Sequence, residues 1–502
     1  MAGCGKADNE RGAMDSTRSE AIAELHTFPH RDFYLAFHPH TFSLFRIGNA
    51  LRSAILELQR GTPLSEAAAI SRIPECDLAI SAQRITDTVD RARGSVGRSS
   101  PELSRETPMS LSLHVSNSCN LRCVYCYADG GSYGRPPRTK MEKTLAIRAL
   151  DTMYRTFSHI ESILFFGGEP TLAMDVIEAV CSHVEDLKVR GVTRTIPEYG
   201  VVTNGTLISG EAVRIIKRYN IQVTMSVDGP PAIHDKLRPR KDGTGTYKQV
   251  KAGFDRIVSA LGQTPHIEAT YTRLHLNSGM RMQDLAGFLR KEFLFRVGAI
   301  IPVHVPQEHP LALTDEETRT DMAATTEMLL HDFIEGHSPT LERTLLAPFL
   351  LFLRKRATRF LCSVGHTRLT VTTDGEIYPC HRLMRPSFLM GTVDDFDIAR
   401  PTQQLKDALR NLSYCDKYTN PLCRACWASP LCLGCPGAHI FESNNYHIPD
   451  RFCREMRTFI ENNIGALYDL KRDPALWSQF LAGLKKLSAE LQKDATPHGE
   501  AC

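Results

Sequence analysis

The sequence predicts an α/β protein built around a parallel sheet, and three observations carry that expectation. Between about residues 108 and 305, short β-branched runs alternate with amphipathic helical stretches, each bounded by Gly, Pro or Asn. Strands are expected near Ser112–Val115, Ser162–Phe166, Tyr199–Thr203, Val223–Val227 and Ile267–Thr272, with helices such as Lys143–Phe157 and Gly210–Tyr219 between them. That rhythm implies βα repeats and parallel pairing. The motifs that bear chemistry fall just after the strands, at the C-terminal ends where βα barrels collect their sites.

Composition narrows the class. The 502 residues, 42% of them hydrophobic, suffice for roughly two to four domains with sizeable cores. A net charge of +3 points to neither nucleic acid nor a membrane surface as partner. No apolar run is long enough to span a bilayer, and polar Met1 to Arg18 lacks the apolar region of a signal peptide. Cys4 looks superficially like a lipobox cysteine, but nothing apolar precedes it. Most of the fifteen cysteines fall into regular groups; Cys4, Cys76, Cys181, Cys415 and Cys502 do not. A secreted disulfide scaffold would be shorter and more evenly spaced, so a reducing cytoplasm is the expected location.

The most informative stretch is Cys119-Asn120-Leu121-Arg122-Cys123-Val124-Tyr125-Cys126. Three thiolates at this spacing can hold three irons of a [4Fe–4S] cube and leave the fourth open, whereas structural zinc or an electron-transfer cluster takes four ligands. A fourth ligand from elsewhere in the chain would make the same stretch a ferredoxin-like or zinc site. The stretch resembles the radical S-adenosylmethionine (SAM) enzymes, with their Cys-x-x-x-Cys-x-x-Cys pattern and an aromatic, here Tyr125, before the last cysteine. The resemblance implies a partial (β/α)6 barrel, SAM chelated at the open iron, and its reductive cleavage to a 5′-deoxyadenosyl radical that abstracts hydrogen from carbon.

Further motifs at strand ends agree with it. Gly167-Gly168-Glu169-Pro170 follows the strand ending at Phe166; its glycines permit close backbone approach and its carboxylate can receive an ammonium group. In the family this motif contacts SAM, and Ser226 and Arg238 resemble the ribose and carboxylate contacts. Ser226 and Asp228 read equally as turn caps. Asn204, in Thr203-Asn204-Gly205-Thr206, carries a weaker signal, because Asn-Gly is first a turn.

The C-terminal third holds a second constellation: Cys362, Gly375-x-x-x-x-Cys380, then Cys423-x-x-Cys426, Cys432-x-x-Cys435 and Cys453. Cys-x-x-Cys pairs serve zinc as readily as iron. The pattern resembles the SPASM domain of radical SAM peptide maturases, which implies two auxiliary [4Fe–4S] clusters and three clusters in all. By position, Cys362, Cys380 and Cys435 would hold one, and Cys423, Cys426, Cys432 and Cys453 the other. The family usually has three residues between the cysteines matched by Cys432 and Cys435; here there are two. No cysteine lies just upstream of Cys362, so the first auxiliary cluster has three evident ligands, with Cys415 or a substrate thiolate for the fourth.

The reaction implied is peptide maturation. Anaerobic sulfatase maturases resemble the chain in all these blocks, but there an aspartate follows the cysteine matched by Cys380; here it is His381, the candidate catalytic residue. A histidine in that place can also be a hydrogen-bond donor that tunes the cluster. Thioether-forming peptide maturases are the closer resemblance, through Pro379-Cys380-His381 and the Gly/Tyr-rich Tyr127–Gly134. Within them the best match is the group that links Cys sulfur to Asp and Glu side-chain carbons in the small subunit of quinohemoprotein amine dehydrogenase, ahead of ranthipeptide maturases. The partners implied are a small Cys-containing peptide or protein with a leader segment, and an electron donor such as flavodoxin or ferredoxin. A non-catalytic iron–sulfur electron carrier is the alternative outside the enzymes.

The segments expected are an N-terminal winged-helix-like peptide-recognition domain over 1–105, the barrel over 106–305, a helical linker over 306–355, the SPASM domain over 356–460, and C-terminal helices with a frayed tail over 461–502. In the first, Asp32–Phe37 and Thr41–Ile47 read as paired strands around His38-Pro39-His40, followed by a helix at Ala50–Gln59 and two short helices within Leu64–Gln83. This resembles the peptide-recognition element of peptide maturases, in which a substrate segment adds as a strand; an α+β domain packed as structure, or a DNA-binding winged helix, is the alternative, and the lack of a basic stripe argues against DNA. His38 and His40 read as turn residues rather than a metal pair. The C-terminal helices are expected to dock on the barrel.

Overall fold

The computed structural model describes residues 20–99, 102–134, 140–294, 298–335, 343–443 and 446–494; Cys4, Cys502 and the expected frayed tail from Thr496 lie outside them. The chain opens with an antiparallel meander of β1 (His26–His30), β2 (Phe33–His38) and β3 (Ser43–Ile47). β2 and β3 are the expected pair, in register from Tyr34 opposite Ile47 to His38 opposite Ser43. β1 was not foreseen, because His26-Thr27-Phe28-Pro29-His30 carries a proline and two histidines where a strand pattern would be apolar. Pairing with β2 makes it a strand. In the turn, buried His38 lies 2.9 Å from Glu24 and 3.0 Å from Thr41 Oγ1, so it is held as a turn residue. Helices Asn49–Gln59, Leu64–Ser71 and Glu75–Arg91 follow; the last outruns Gln83 because Ile85 and Val89 prolong the buried stripe begun at Leu78. A short strand, β4 (Gly97–Ser99), leads towards the main sheet.

That sheet contains six parallel strands in sequence order: β5 (Met109–Ser116), β6 (Ile160–Gly167), β7 (Glu198–Thr203), β8 (Gln222–Ser226), β9 (His266–Tyr271) and β10 (Gly298–Pro302). Alternate residues face opposite sides. Leu111, Leu113, Val115, Ile163, Phe165, Ile267 and Ala269 join the core formed with helices such as Lys143–Thr156, Met174–Val189 and Tyr247–Leu261. The intervening residues, among them His114, Phe166, Glu268 and Thr270, point to the concave side. Fully burying each aliphatic side chain of that core contributes about 1.5–3 kcal/mol. The row of strands does not close on itself, so the barrel is partial, as expected.

The sheet continues beyond β5. After β11 (Arg356–Thr358), which pairs with β4, strand β12 (Arg368–Val371) lies parallel to β5, and β13 (Glu376–Tyr378) and β14 (Gly391–Thr392) add antiparallel. β13 runs antiparallel to β12 and leads to Cys380 and His381, whose ring lies 6.1 Å from that of Tyr127 in the loop that follows β5.

The C-terminal helices correct one expectation. Asp450–Arg472 and Pro474–Asp494 pack on Asp315–Ile334, and Phe459, Ile460 and Phe480 join one core with Phe333, Phe349 and the Phe28, Phe33, Leu35 and Phe37 face of the meander. His26 and His30 tie the same helix through Glu461 (2.7 Å) and Asp469 (3.0 Å). The aromatic face of β1 and β2 is an apolar surface in need of cover, and the helices bury it. Among the described residues no helix is long and apolar enough to cross a membrane.

Candidate functional site

The loop after β5 holds Cys119, Cys123 and Cys126 at the mouth of the barrel, fastened on two sides. On one side Arg122 N–H donates to Pro239 O (2.8 Å) and Val124 N–H to Leu237 O (3.0 Å). On the other, Gly168 N–H donates to Ser116 O (2.7 Å) and Glu169 N–H to Ser118 O (2.8 Å). A Cβ on Gly168 would stand 2.3 Å from Ser118 O, and one on Gly131 would stand 2.5 Å from the Gly168 Cα. The glycines of both segments are thus required by the approach of one backbone to the other. Cys119 Sγ receives Leu121 N–H (3.4 Å) and the Asn204 amide (3.8 Å). Burial pushes the Cys119 thiol up to about 11 and Cys123 to about 12, so a metal binds there by displacing protons.

Glu169 is buried and anchored. Its Oε1 accepts from Thr171 N–H (3.0 Å), Thr171 Oγ1 (2.6 Å) and Thr203 Oγ1 (2.6 Å), while Oε2 accepts from Asn204 N–H (2.8 Å). Oε2, with a single donor, is the less occupied oxygen, and Glu169 lines the cavity. Asn204 also donates to Asn120 Oδ1 (2.9 Å). Pro170 is buried as the first residue of the short helix Pro170–Ala173 and stands behind the cavity wall. Asp228, which the sequence offered as a turn cap, instead organises the far wall: it accepts from Arg238 Nε (2.9 Å), Thr270 N–H (2.9 Å) and the Tyr125 hydroxyl. Burial alone would raise the Asp228 carboxyl, but the Arg238 guanidinium holds it below the usual carboxylate range. Arg238 in turn lies over the Tyr125 ring, 5.5 Å from its centroid.

These residues bound a cavity of about 330 Å³. Cys119, Cys123, Tyr125, Cys126, Gly167, Gly168, Glu169, Asn204, Ser226 and Arg238 all line it. At its other end stand His381, Arg382 and Phe441, with Glu268 and His304 on the wall. The His381 ring stacks on Phe166 (centroids 4.4 Å apart) and lies near His114 and Tyr127. Arg382 lies over the Tyr127 ring (5.1 Å), donates its backbone N–H to Cys380 Sγ (3.4 Å) and reaches Cys435 Sγ with its guanidinium (3.9 Å). Sequence reasoning did not single out Glu268, His304, Arg382 or Phe441. The available signal was the alternation of β9, which turns Glu268 inward with its cross-strand neighbour Ser226; nothing local marks the other three.

Burial raises the Cys362 and Cys380 thiols, and neighbouring Cys435 pushes both further up. Burial likewise raises the Cys423, Cys432 and Cys453 thiols, and Cys426 adds to it at each of the three. Cys415, 3% exposed, lies beside Cys362 and Cys435 and also senses Cys423. Among the described residues no three His, Cys, Asp or Glu side chains form a ready site for a single metal ion.

Residues 113–276 match the Radical SAM superfamily. The chain carries a radical SAM domain. The domain implies SAM and a [4Fe–4S] cluster as its cofactors, and the buried thiols and the backbone cradle of Gly168 suit such a group. The Cysteine-type anaerobic sulfatase-maturating enzyme of Clostridium novyi (strain NT) is 24% identical over 367 residues, 70% of this chain and 94% of that protein. Among solved structures, native anSMEcpe with bound AdoMet gives a TM-score of 0.61 at 19% identity, covering 72% of this chain and 98% of that one. Native anSMEcpe with bound AdoMet and Cp18Cys peptide gives 0.59 at the same identity and coverage. At these identities the likeness establishes the fold.

Proposed function

We propose that this radical SAM enzyme matures a peptide or protein by joining a Cys sulfur to a substrate carbon as a thioether, with the small subunit of quinohemoprotein amine dehydrogenase as the best substrate and ranthipeptide-like precursors next. The observation that carries the reading is the single cavity with cysteines at both ends: Cys119, Cys123 and Cys126 at the mouth, and Cys380 and Cys435 just behind His381 and Arg382.

The first three would hold the SAM cluster, with Tyr125, the Gly167-Gly168 backbone, Glu169, Asn204, Ser226 and Arg238 around SAM. Bound, these cofactors supply hydrogen-atom abstraction from carbon. Glu169 Oε2 receives an ammonium group and Arg238 a carboxylate, charge-assisted contacts that fix orientation. Phe166, Tyr127 and His381 form an aromatic wall that keeps water from the reacting carbon. Cys362, Cys380 and Cys435 would hold the first auxiliary [4Fe–4S] cluster and leave an iron for the substrate sulfur. Cys423, Cys426, Cys432 and Cys453 would hold the second. A substrate leader segment would add along the N-terminal meander, and flavodoxin or ferredoxin would supply electrons.

The relatedness to a sulfatase-maturating enzyme over 94% of its length favours a second reading, formylglycine formation. His381 in place of the aspartate argues against it. Co-expression with a small Cys-rich protein followed by mass spectrometry decides: loss of a hydrogen pair per bridge supports the thioether, and a formylglycine mass or a decarboxylated terminus rejects it. Anaerobic protein that binds metal but releases no 5′-deoxyadenosine from SAM would point instead to an electron carrier.

A further inference from the structure

Lys417 has no place in the chemistry described so far, yet its burial is extreme. The residue is 1% exposed, and a lysine is almost never that buried unless it is paired. Its Nζ donates to Thr358 Oγ1 (2.8 Å), Ser429 O (2.6 Å) and Cys432 O (3.0 Å), which uses all three ammonium hydrogens on neutral oxygens. Asp416, the adjacent carboxylate, is turned to Arg359 (2.8 Å). Among the described residues no carboxylate pairs with this ammonium; burial pushes it down to about 8, and the groups that act in the opposite sense are Cys432, Cys423 and Cys426. A buried cation needs a counter-charge, and two of its three acceptors, Ser429 O and Cys432 O, sit on the loop that carries Cys426 and Cys432.

We infer that Lys417 is the fixed counter-ion of the cluster held by Cys423, Cys426, Cys432 and Cys453, and that it raises the potential of that cluster. The inference rests on the ligand assignment proposed above. A [4Fe–4S] cluster with four thiolates is anionic and becomes more so when it takes an electron. A positive charge held by three hydrogen bonds, two of them to Ser429 and Cys432 on the ligand loop itself, therefore favours the reduced form. Charge and hydrogen bonding around the sulfurs are among the means by which a protein sets such potentials. The role is one of positioning charge, since Lys417 touches neither substrate nor SAM.

The test is a redox titration of the anaerobic full-length chain followed by electron paramagnetic resonance, with the relevant signal identified as the one lost in Cys426→Ala. Lys417→Met keeps the length and removes the charge; Lys417→Arg keeps the charge. A more negative potential in Lys417→Met, with Lys417→Arg close to the native value, is the expected result. Loss of the cluster in Lys417→Met but not in Lys417→Arg supports the counter-ion role as well. An unchanged potential in Lys417→Met, or loss of the cluster in both variants, overturns it. If Cys426→Ala keeps the full iron content and every signal, the ligand assignment itself falls and takes the inference with it.

Discussion

The two cysteine regions of this protein are assembled in different ways. Cys119, Cys123 and Cys126 belong to one loop, set by the end of β5 and pinned by the Gly167-Gly168 backbone, so a few neighbouring peptide groups determine their place. Cys362, Cys380 and Cys435 come from separate stretches, joined only because β12 extends the barrel sheet beside β5 and β13 returns along it. The first site is local and rigid. The second exists only when the sheet extension is complete, which is also what brings His381 into the barrel. Under the proposed function, radical generation and its use on a substrate would rest on different parts of the fold and be separable.

The sharpest way to break that comparison is at the ligands. Cys123→Ala is expected to abolish 5′-deoxyadenosine release and to lower iron by about four per chain, measured by chromatography and iron assay. Cys380→Ala should leave release intact and abolish the product; loss of both activities would show that the regions are not separable. His381→Ala comes next, with product formation falling by about 10²–10³ while 5′-deoxyadenosine release stays near the native rate. Equal loss of the two rates would place His381 in SAM binding instead.

Asp228→Asn probes the wall where Arg238 meets Tyr125 of the cysteine loop. It removes the countercharge of buried Arg238 and should cost about 3–5 kcal/mol of stability, seen as a lower unfolding midpoint in denaturant at pH 7. Because the native Asp228 carboxyl lies below its ordinary value, its contribution is present at neutral pH and is lost on acidification through the folded value, beneath the usual carboxylate range. The variant should therefore approach the native protein in stability at low pH. The smallest effect is expected for Cys415→Ala, which should keep native iron content and product yield if an iron is open for the substrate sulfur. A loss of iron on that substitution would make Cys415 the fourth ligand.

Much of the barrel was legible because its strands repeat a local pattern: β6 to β9 fall within two residues of their expected limits, and β5 begins three residues before its own. The cysteine triad and Gly167–Glu169 were legible for the same reason, their spacing being the chemistry. β1 was missed because its polar residues give no strand signal without β2. The docking of Asp450–Arg472 was misplaced because amphipathicity shows that a helix has a buried face and not which surface will cover it. Glu268 was passed over as one carboxylate among many until its strand partner Ser226 put it in the cavity.

By itself the sequence determined where three thiolates could hold iron and which stretches would become the strands around them. These are set by spacing and pattern within short stretches of chain. Only the tertiary structure decided that Arg382 joins Cys380 and Cys435 to the aromatic wall, that His381 enters the same cavity as the triad, and that Lys417 is buried against the loop of Cys432 with no carboxylate paired to it among the described residues. Each of these depends on burial by segments distant in the chain, and the value of a charge or a ring is set by what surrounds it once water is gone.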